Sequence, residues 1–304
     1  MTMSSFSKEH LSILSSSPSI QVSHDPFPHV IIRNCLSSEI YNQLESSYPS
    51  DSFLQNWQPE RTGENVRQKV EFHSILQKDA CWEGAEIWRE FVSLHLSNYF
   101  FQQVLDLFRK EILTTSPLLE TLLGCSIEKA RISTHIPDIP LSKKDEEKTI
   151  FLEGDVGINT PLSLPTSVRG PHVDGMQKIF AGLLYFRRSC DLSSGGDLEL
   201  SSWRYNQQPI FRGTMSVNSK HVVTRCTIPY AANTAILWVN SPNAIHSVTP
   251  RSPSKHSRRL VYFSGRVGTQ HVFKQGLFPL ATRKSFVEKV VAKSKYIVRK
   301  KFLR

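Results

Sequence analysis

The hydrophobic period of this chain changes once, near residue 127, and that change narrows the folds open to it. Between about residues 79 and 113, Trp82, Ile87, Trp88, Phe91, Leu94, Phe100, Val104, Leu105 and Phe108 recur at three- and four-residue intervals, the spacing of one helical face. Beyond residue 127 the pattern becomes extended, with strands expected at 129–136, 155–159, 179–187, 197–201, 221–228, 234–239 and 260–263. Ser193-Ser194-Gly195-Gly196, Ala232-Asn233 and Ser241-Pro242-Asn243 punctuate them as turns. Helices first and many short strands afterwards predict a mainly β barrel or sandwich with helices packed outside.

The N-terminal part supports that core. Residues 30–32 read as a short strand, and Ser37-Ser38 cap a helix that Tyr48-Pro49 closes. Residues 50–75 read as irregular and polar, and a short helix is expected at 117–123. The chain divides into a flexible lead-in at 1–24, a single domain at 25–282 with its β core at about 127–267, and a C-terminal helix at 283–304.

Charge first suggests nucleic acid, but its distribution argues against it. Nine basic residues stand against Glu288 alone between 283 and 304, so that segment carries +8 of the net +10 and the body is nearly neutral. A body without a basic groove has little to hold a phosphate backbone. The tail's apolar residues (Phe286, Val287, Val290, Val291, Ile297, Val298) fall largely on one side of a helix. That helix either packs its stripe on the barrel or makes a peripheral contact with acidic membrane or a protein. No apolar run approaches the roughly eighteen residues of a membrane span. The five cysteines, 35, 81, 125, 190 and 226, are odd in number and lack a Cys-X-X-Cys pair. They predict reduced thiols and a cytoplasmic protein rather than a disulfide or zinc scaffold.

The chemistry-bearing stretch is Arg169-Gly170-Pro171-His172-Val173-Asp174-Gly175. On an extended segment His172 and Asp174 point to the same side. They can then take adjacent positions on one metal ion, and a second His would complete the two-His, one-carboxylate set of non-haem iron(II) sites. His246, just past the apolar strand and turn of residues 235–243, is the best placed; His221, His256 and His271 are less so. Arg258, twelve positions after His246, and Arg259 open the next apolar strand. An inward Arg there can fork a carboxylate. Alternation favours Arg258, because Leu260, Tyr262 and Ser264 would then share its inward face. Tyr185 shares a strand face with Ala181 and Leu183 and can donate to the same carboxylate. Trp57, Arg61, Arg67 and Trp203 are candidates for a substrate cleft.

His172-X-Asp174, His246-Ser247-Val248-Thr249-Pro250 and Arg258 resemble the Fe(II)/2-oxoglutarate-dependent oxygenases, especially the prolyl-hydroxylase-like branch. The resemblance extends to Ala181-Gly182-Leu183-Leu184-Tyr185-Phe186, Gly195-Gly196-Asp197-Leu198-Glu199-Leu200 and, more loosely, Asp25-Pro26-Phe27-Pro28-His29-Val30. It implies a double-stranded β-helix (jelly-roll, cupin-like) core with N-terminal helical support. His172, Asp174 and His246 would be the iron ligands, Arg258 would hold the distal carboxylate of 2-oxoglutarate, and Tyr185 would assist. It further implies O2, with ascorbate as an accessory reductant, and oxidative decarboxylation to succinate and CO2 coupled to carbon hydroxylation. Asp174 favours hydroxylation, since related halogenases have a small residue there. No Gly precedes Arg258 as is usual in that branch, and residues 251–256 lengthen the loop, which leaves open whether Arg258 or Arg259 holds the cosubstrate. The expected substrate is a small molecule, glycan, lipid-linked or peptidyl group. A nucleic-acid dealkylating oxygenase ranks lower, because its Arg-X-Asn-X-Thr-X-Arg stretch is absent after His246. A non-catalytic jelly-roll binding module is the alternative outside the enzymes.

Overall fold

The structure is a computed structural model that describes residues 8–14, 20–134, 148–205, 211 and 215–268. The basic helix expected at 283–304 and His271 lie outside the described residues. Ten strands are described: β1 (His29–Arg33), β2 (Arg67–Glu71), β3 (Arg131–Thr134), β4 (Thr149–Asn159), β5 (Lys178–Tyr185), β6 (Leu198–Trp203), β7 (Val222–Ile228), β8 (Thr234–Val239), β9 (Ile245–Val248) and β10 (Arg258–Val267). They form a large sheet in the order β1-β8-β5-β10-β4-β2, with β3 also on β4, and a small sheet in the order β7-β6-β9. The two sheets face each other as a jelly-roll core, with helices on the outer side of the large one.

Alternation along β5, β8 and β10 assigns the two faces. Leu184, Phe186, Ala235, Leu237, Val261 and Phe263 turn outward, into a cluster with the helices. Ala181, Tyr185, Ile236, Trp238 and Leu260 turn inward and meet Leu198, Leu200, Ile228 and Tyr230 from the small sheet and its following turn. Period-2 alternation is what lets one strand serve two cores.

The helical layer comprises α1 (Ser38–Ser46), α2 (Asp51–Trp57), α3 (Phe72–Leu76), α4 (Ala85–His95), α5 (Asn98–Thr115) and α6 (Leu119–Leu123). Ser37 caps α1 by accepting from the Ile40 amide at 3.3 Å. The helical region expected at about 79–113 holds two helices, α4 and α5. Ser97 interrupts it, donating to the Leu94 carbonyl at 2.6 Å and accepting the Phe100 amide as the cap of α5. The buried Trp88 ring stands 5.4 Å from Tyr48, 5.7 Å from Phe91 and 5.4 Å from Phe186, so helix and sheet share one aromatic cluster. Each such buried ring contributes roughly 2–3 kcal/mol.

Residues 50–75 differ from expectation, holding α2, β2 and α3 in place of irregular chain. β2 carries Arg67 and Lys69 on the face that pairs with Asp155, so its polar composition belongs to a strand with charged inward positions. β4 and β10 are also longer than read from the sequence. Within the lead-in, Leu11, Ile13 and Leu14 are buried against the helices. A loose segment is therefore not what residues 8–14 form. Among the described residues no helix is long and apolar enough to cross a membrane, and none of the five cysteines is in a disulfide.

Candidate metal centre

His172 and His246 lie opposite each other across an antiparallel bridge. The His172 amide donates to the His246 carbonyl at 3.0 Å and the His246 amide returns the bond at 2.9 Å. Residues paired this way carry their side chains on the same face, here the barrel interior. Val173 and Ile245 consequently turn outward into a separate apolar cluster. Asp174, two residues on from His172, returns to the inward side. Alternation along one segment and one cross-strand pair thus bring three donors together, and their ligand atoms all lie within 4.8 Å of one another.

His246 sits on a strand, β9, just past the apolar strand and turn expected before it. Its ring lies 4.2 Å from that of His172 and 4.8 Å from that of Trp238, which restricts its rotation. The two imidazoles are oriented in the same manner. His172 Nδ1 lies 2.8 Å from the Gly170 carbonyl and His246 Nδ1 lies 3.0 Å from the Ala244 carbonyl. A carbonyl only accepts, so each Nδ1 carries the proton and each Nε2 presents a lone pair to the interior.

The electrostatics suit a cation. Burial, reinforced by the neighbouring His246 and Arg169, lowers the His172 imidazole to about 3. Burial also lowers His246, so both rings are neutral near pH 7. Burial pushes the Asp174 carboxyl up, yet the positive charges around it prevail and hold it below the ordinary range. Lys178 is the first of those charges. Asp174 Oδ2 is buried and has no hydrogen-bond partner. A buried anionic oxygen with no partner is costly, and a divalent cation held between it and two neutral imidazoles would remove that cost. The donor set fits iron(II) with coordination positions left open.

Arg258 turns inward and is buried. Its Nε donates to the Gly196 carbonyl at 2.8 Å, Nη1 lies 3.4 Å from Asn159 Oδ1, and Nη2 lies 3.1 Å from the Tyr185 hydroxyl. The guanidinium lies 4.9 Å from the ring centres of both Tyr185 and Tyr230. Gly196 has φ +74°, and a Cβ there would stand 3.3 Å from Arg258 Cδ, so the turn's glycine permits this approach. Arg259 points the opposite way, with Nη1 3.4 Å from Glu45 on α1 and its guanidinium over the Tyr48 ring.

Other residues singled out from the sequence are dispersed. Trp57 packs against the helical core, Trp203 joins the cluster outside the small sheet, and Arg61 is exposed. His221 and His256 are outside the three-donor group. Arg67 alone of the proposed cleft residues reaches the interior edge, where it pairs with Asp155. Sequence reasoning missed Asn159 and the Lys178–Tyr262 pair. Asn159 is legible only through register, because it stands opposite Arg258 on β4.

No protein-family model matches the chain, and no curated protein does. Solved structures similar to it include a prolyl 4-hydroxylase from Phytophthora capsici, at 13% identity and a TM-score of 0.43, covering 98% of this chain and 77% of that one. A Pseudomonas putida prolyl-4-hydroxylase matches at 12% identity and a TM-score of 0.37, covering 84% of this chain and 98% of that one. A Trichoplax adhaerens prolyl hydroxylase in complex with a peptide fragment of hypoxia inducible factor matches at 14% identity and a TM-score of 0.38, with 79% and 83% covered. These are likenesses of fold. The functional reading rests on the geometry of the site.

Proposed function

We propose that this chain is an Fe(II)- and 2-oxoglutarate-dependent dioxygenase that hydroxylates an unactivated carbon of a small-molecule, glycan, lipid-linked or peptidyl substrate. The observation that carries the reading is the three-donor set itself: two neutral imidazoles presenting Nε2, and a carboxylate whose buried Oδ2 has no partner. His172, Asp174 and His246 would hold the iron. With 2-oxoglutarate and O2, the bound metal supplies the redox chemistry that yields succinate, CO2 and a hydroxylated carbon.

The chain's own residues do the positioning. The Gly170 and Ala244 carbonyls fix the tautomer of each histidine, and Trp238 braces the His246 ring. Arg258, permanently charged, holds the distal carboxylate of 2-oxoglutarate, and the Tyr185 hydroxyl donates to the same group. The apolar interior of Leu198, Leu200, Ile236 and Leu260 excludes water from the site. Five cysteines outside any disulfide and an iron(II) site both suit a reducing compartment such as the cytoplasm.

The test is succinate release from 2-oxoglutarate by the full chain with Fe(II), ascorbate and O2, with His172→Ala as the control. Iron binding under anaerobic conditions that the substitution abolishes supports the reading. A wild-type chain that binds no Fe(II) would leave a non-catalytic jelly-roll binding module.

A further inference from the structure

The edge of the large sheet is interrupted beside the metal centre. One edge of β4 pairs with β10 along its length. Its other edge pairs with β3 only at residues 149–152 and with β2 only at residues 155–159. Among the described strands nothing pairs with Glu153 and Gly154 on that edge. A cavity of about 200 Å³ fills the notch. Phe72, Leu96 and Leu152 give it an apolar side, and Lys178 and Tyr262 stand at its inner end.

The charges in the notch are unequally satisfied. Asp155 takes both Arg67 and Lys69, and Lys69 is shared with Glu71 at 3.3 Å. Glu153 receives Arg266 at 2.9 Å on one oxygen and Ser264 at 3.1 Å on the other. Lys178 reaches a carboxylate only at 3.9 Å, from the already bonded Glu153. Its hydrogen bond goes to the Tyr262 hydroxyl at 2.6 Å. An ammonium has three donors and a phenol one, so this pair keeps donors beyond the bond that joins it. The Lys178 amide donates to the Gly175 carbonyl at 3.0 Å, one residue on from Asp174, which places the pair beside the metal-binding carboxylate.

We propose that this notch is the substrate's binding site, and that it takes a small amphipathic carboxylate whose anionic head sits on Lys178 and Tyr262 and whose apolar body lies against Phe72, Leu96 and Leu152. Calling the occupant a substrate rests on the dioxygenase reading above; its carboxylate chemistry does not. The site is separate from the one assigned to 2-oxoglutarate. Arg258 and Tyr262 share the inner face of β10 but are four residues apart, roughly 13 Å along a strand. The surrounding acids, Glu71, Glu153 and Asp155, disfavour a second anionic group on the ligand.

The test is calorimetric titration of the full chain with hexanoate and with hexanamide, a neutral probe of nearly the same shape. Wild type, Lys178→Arg and Arg258→Met are expected to bind hexanoate. Lys178→Met is expected to weaken it by roughly ten- to a hundredfold, the effect of losing a charge-assisted hydrogen bond. Hexanamide should bind wild type as weakly as hexanoate binds Lys178→Met. Tyr262→Phe, which keeps the charge, should weaken hexanoate several-fold, and with the acid–amide comparison it decides the matter if Lys178→Met does not fold. Equal affinity of wild type and folded Lys178→Met, equal affinity for acid and amide, or a loss of hexanoate in Arg258→Met instead would overturn the proposal. Titration with 2-oxoglutarate in parallel separates the two readings. Its failure on wild type sinks the cosubstrate assignment, whereas failure of hexanoate with 2-oxoglutarate binding intact sinks only the notch.

Discussion

The His172 and His246 amides and carbonyls are exchanged across a single bridge, at 3.0 and 2.9 Å, and that backbone pair sets the spacing of the two imidazoles. Because the bridge is made by the main chain, it survives loss of either side chain. His172→Ala and His246→Ala are therefore expected to keep the fold, read by circular dichroism. Each should lower Fe(II) affinity by more than about a hundredfold, the upper end of what even a supporting partner of a ligand contributes. Anaerobic metal titration measures it. A variant with wild-type affinity would remove that residue from the ligand set.

Arg258 and Arg259 are neighbours that face opposite layers, and this makes their substitutions separable. Arg258→Ala is expected to weaken 2-oxoglutarate binding roughly a hundredfold, by loss of a two-bond charged fork. Arg259→Ala touches Glu45 and Tyr48 in the helical layer; it should change that affinity by less than about twofold and cost about 1–2 kcal/mol of stability. The paired measurement is 2-oxoglutarate titration and denaturant unfolding of both variants. The opposite pattern would move the cosubstrate to the other arginine.

Much of this site was legible because period-2 alternation is local. His172 with Asp174, and Arg258 with Leu260, Tyr262 and Ser264, needed only the rule that every second side chain shares a face. The inward turn of Arg258 follows from the same rule. Partners that meet across strands were not legible. Asn159 meets Arg258 because β4 and β10 align them as partners, and Lys178 meets Tyr262 because two long side chains on adjacent strands reach past their own register partners, Arg266 and Leu183. The break in the helix at Ser97 was hidden for another reason. The apolar spacing continues across it, and only the capping bonds of one serine reveal the interruption. β2 was hidden by its charges, which inside this barrel edge are satisfied by one another.

The lengthened loop after His246 carries a buried ion pair. Arg251 Nη2 lies 2.8 Å from Asp191 Oδ2, with the two side chains 2% and 1% exposed. Arg251 also donates to the Ser193 and Ser254 hydroxyls and to the His256 carbonyl. The pair ties this loop to the turn that precedes Gly196, whose carbonyl holds Arg258. Arg251→Met is expected to cost roughly 3–5 kcal/mol, since it strands a buried carboxylate. Asp191→Asn combined with Arg251→Met should cost less than Arg251→Met alone. Denaturant unfolding of wild type, both single variants and the double variant checks this, and additive losses would show that the two residues act independently.

His95 links the N-terminal segment to the helical layer and makes stability depend on pH. Its Nδ1 donates to the Phe91 carbonyl at 2.7 Å, so Nε2 is the acceptor for the Ile13 amide at 3.3 Å. Protonation of Nε2 would destroy that second bond. Burial lowers the folded imidazole to about 3, whereas an unfolded histidine titrates near about 6.5. Between those values the unfolded chain binds the extra proton, so stability rises with pH and is lost on acidification, by up to about 1.4 kcal/mol per pH unit. His172 and His246 act in the same direction in the metal-free chain, so the effect of His95 must be read as a difference. Wild type and His95→Gln are unfolded with denaturant at a series of pH values from 7 to 4. The wild-type slope of stability against pH should exceed that of the variant by about one proton. Hydrogen exchange at the Ile13 amide should quicken in wild type over the same range. Equal slopes for the two chains would show that His95 does not carry the pH dependence.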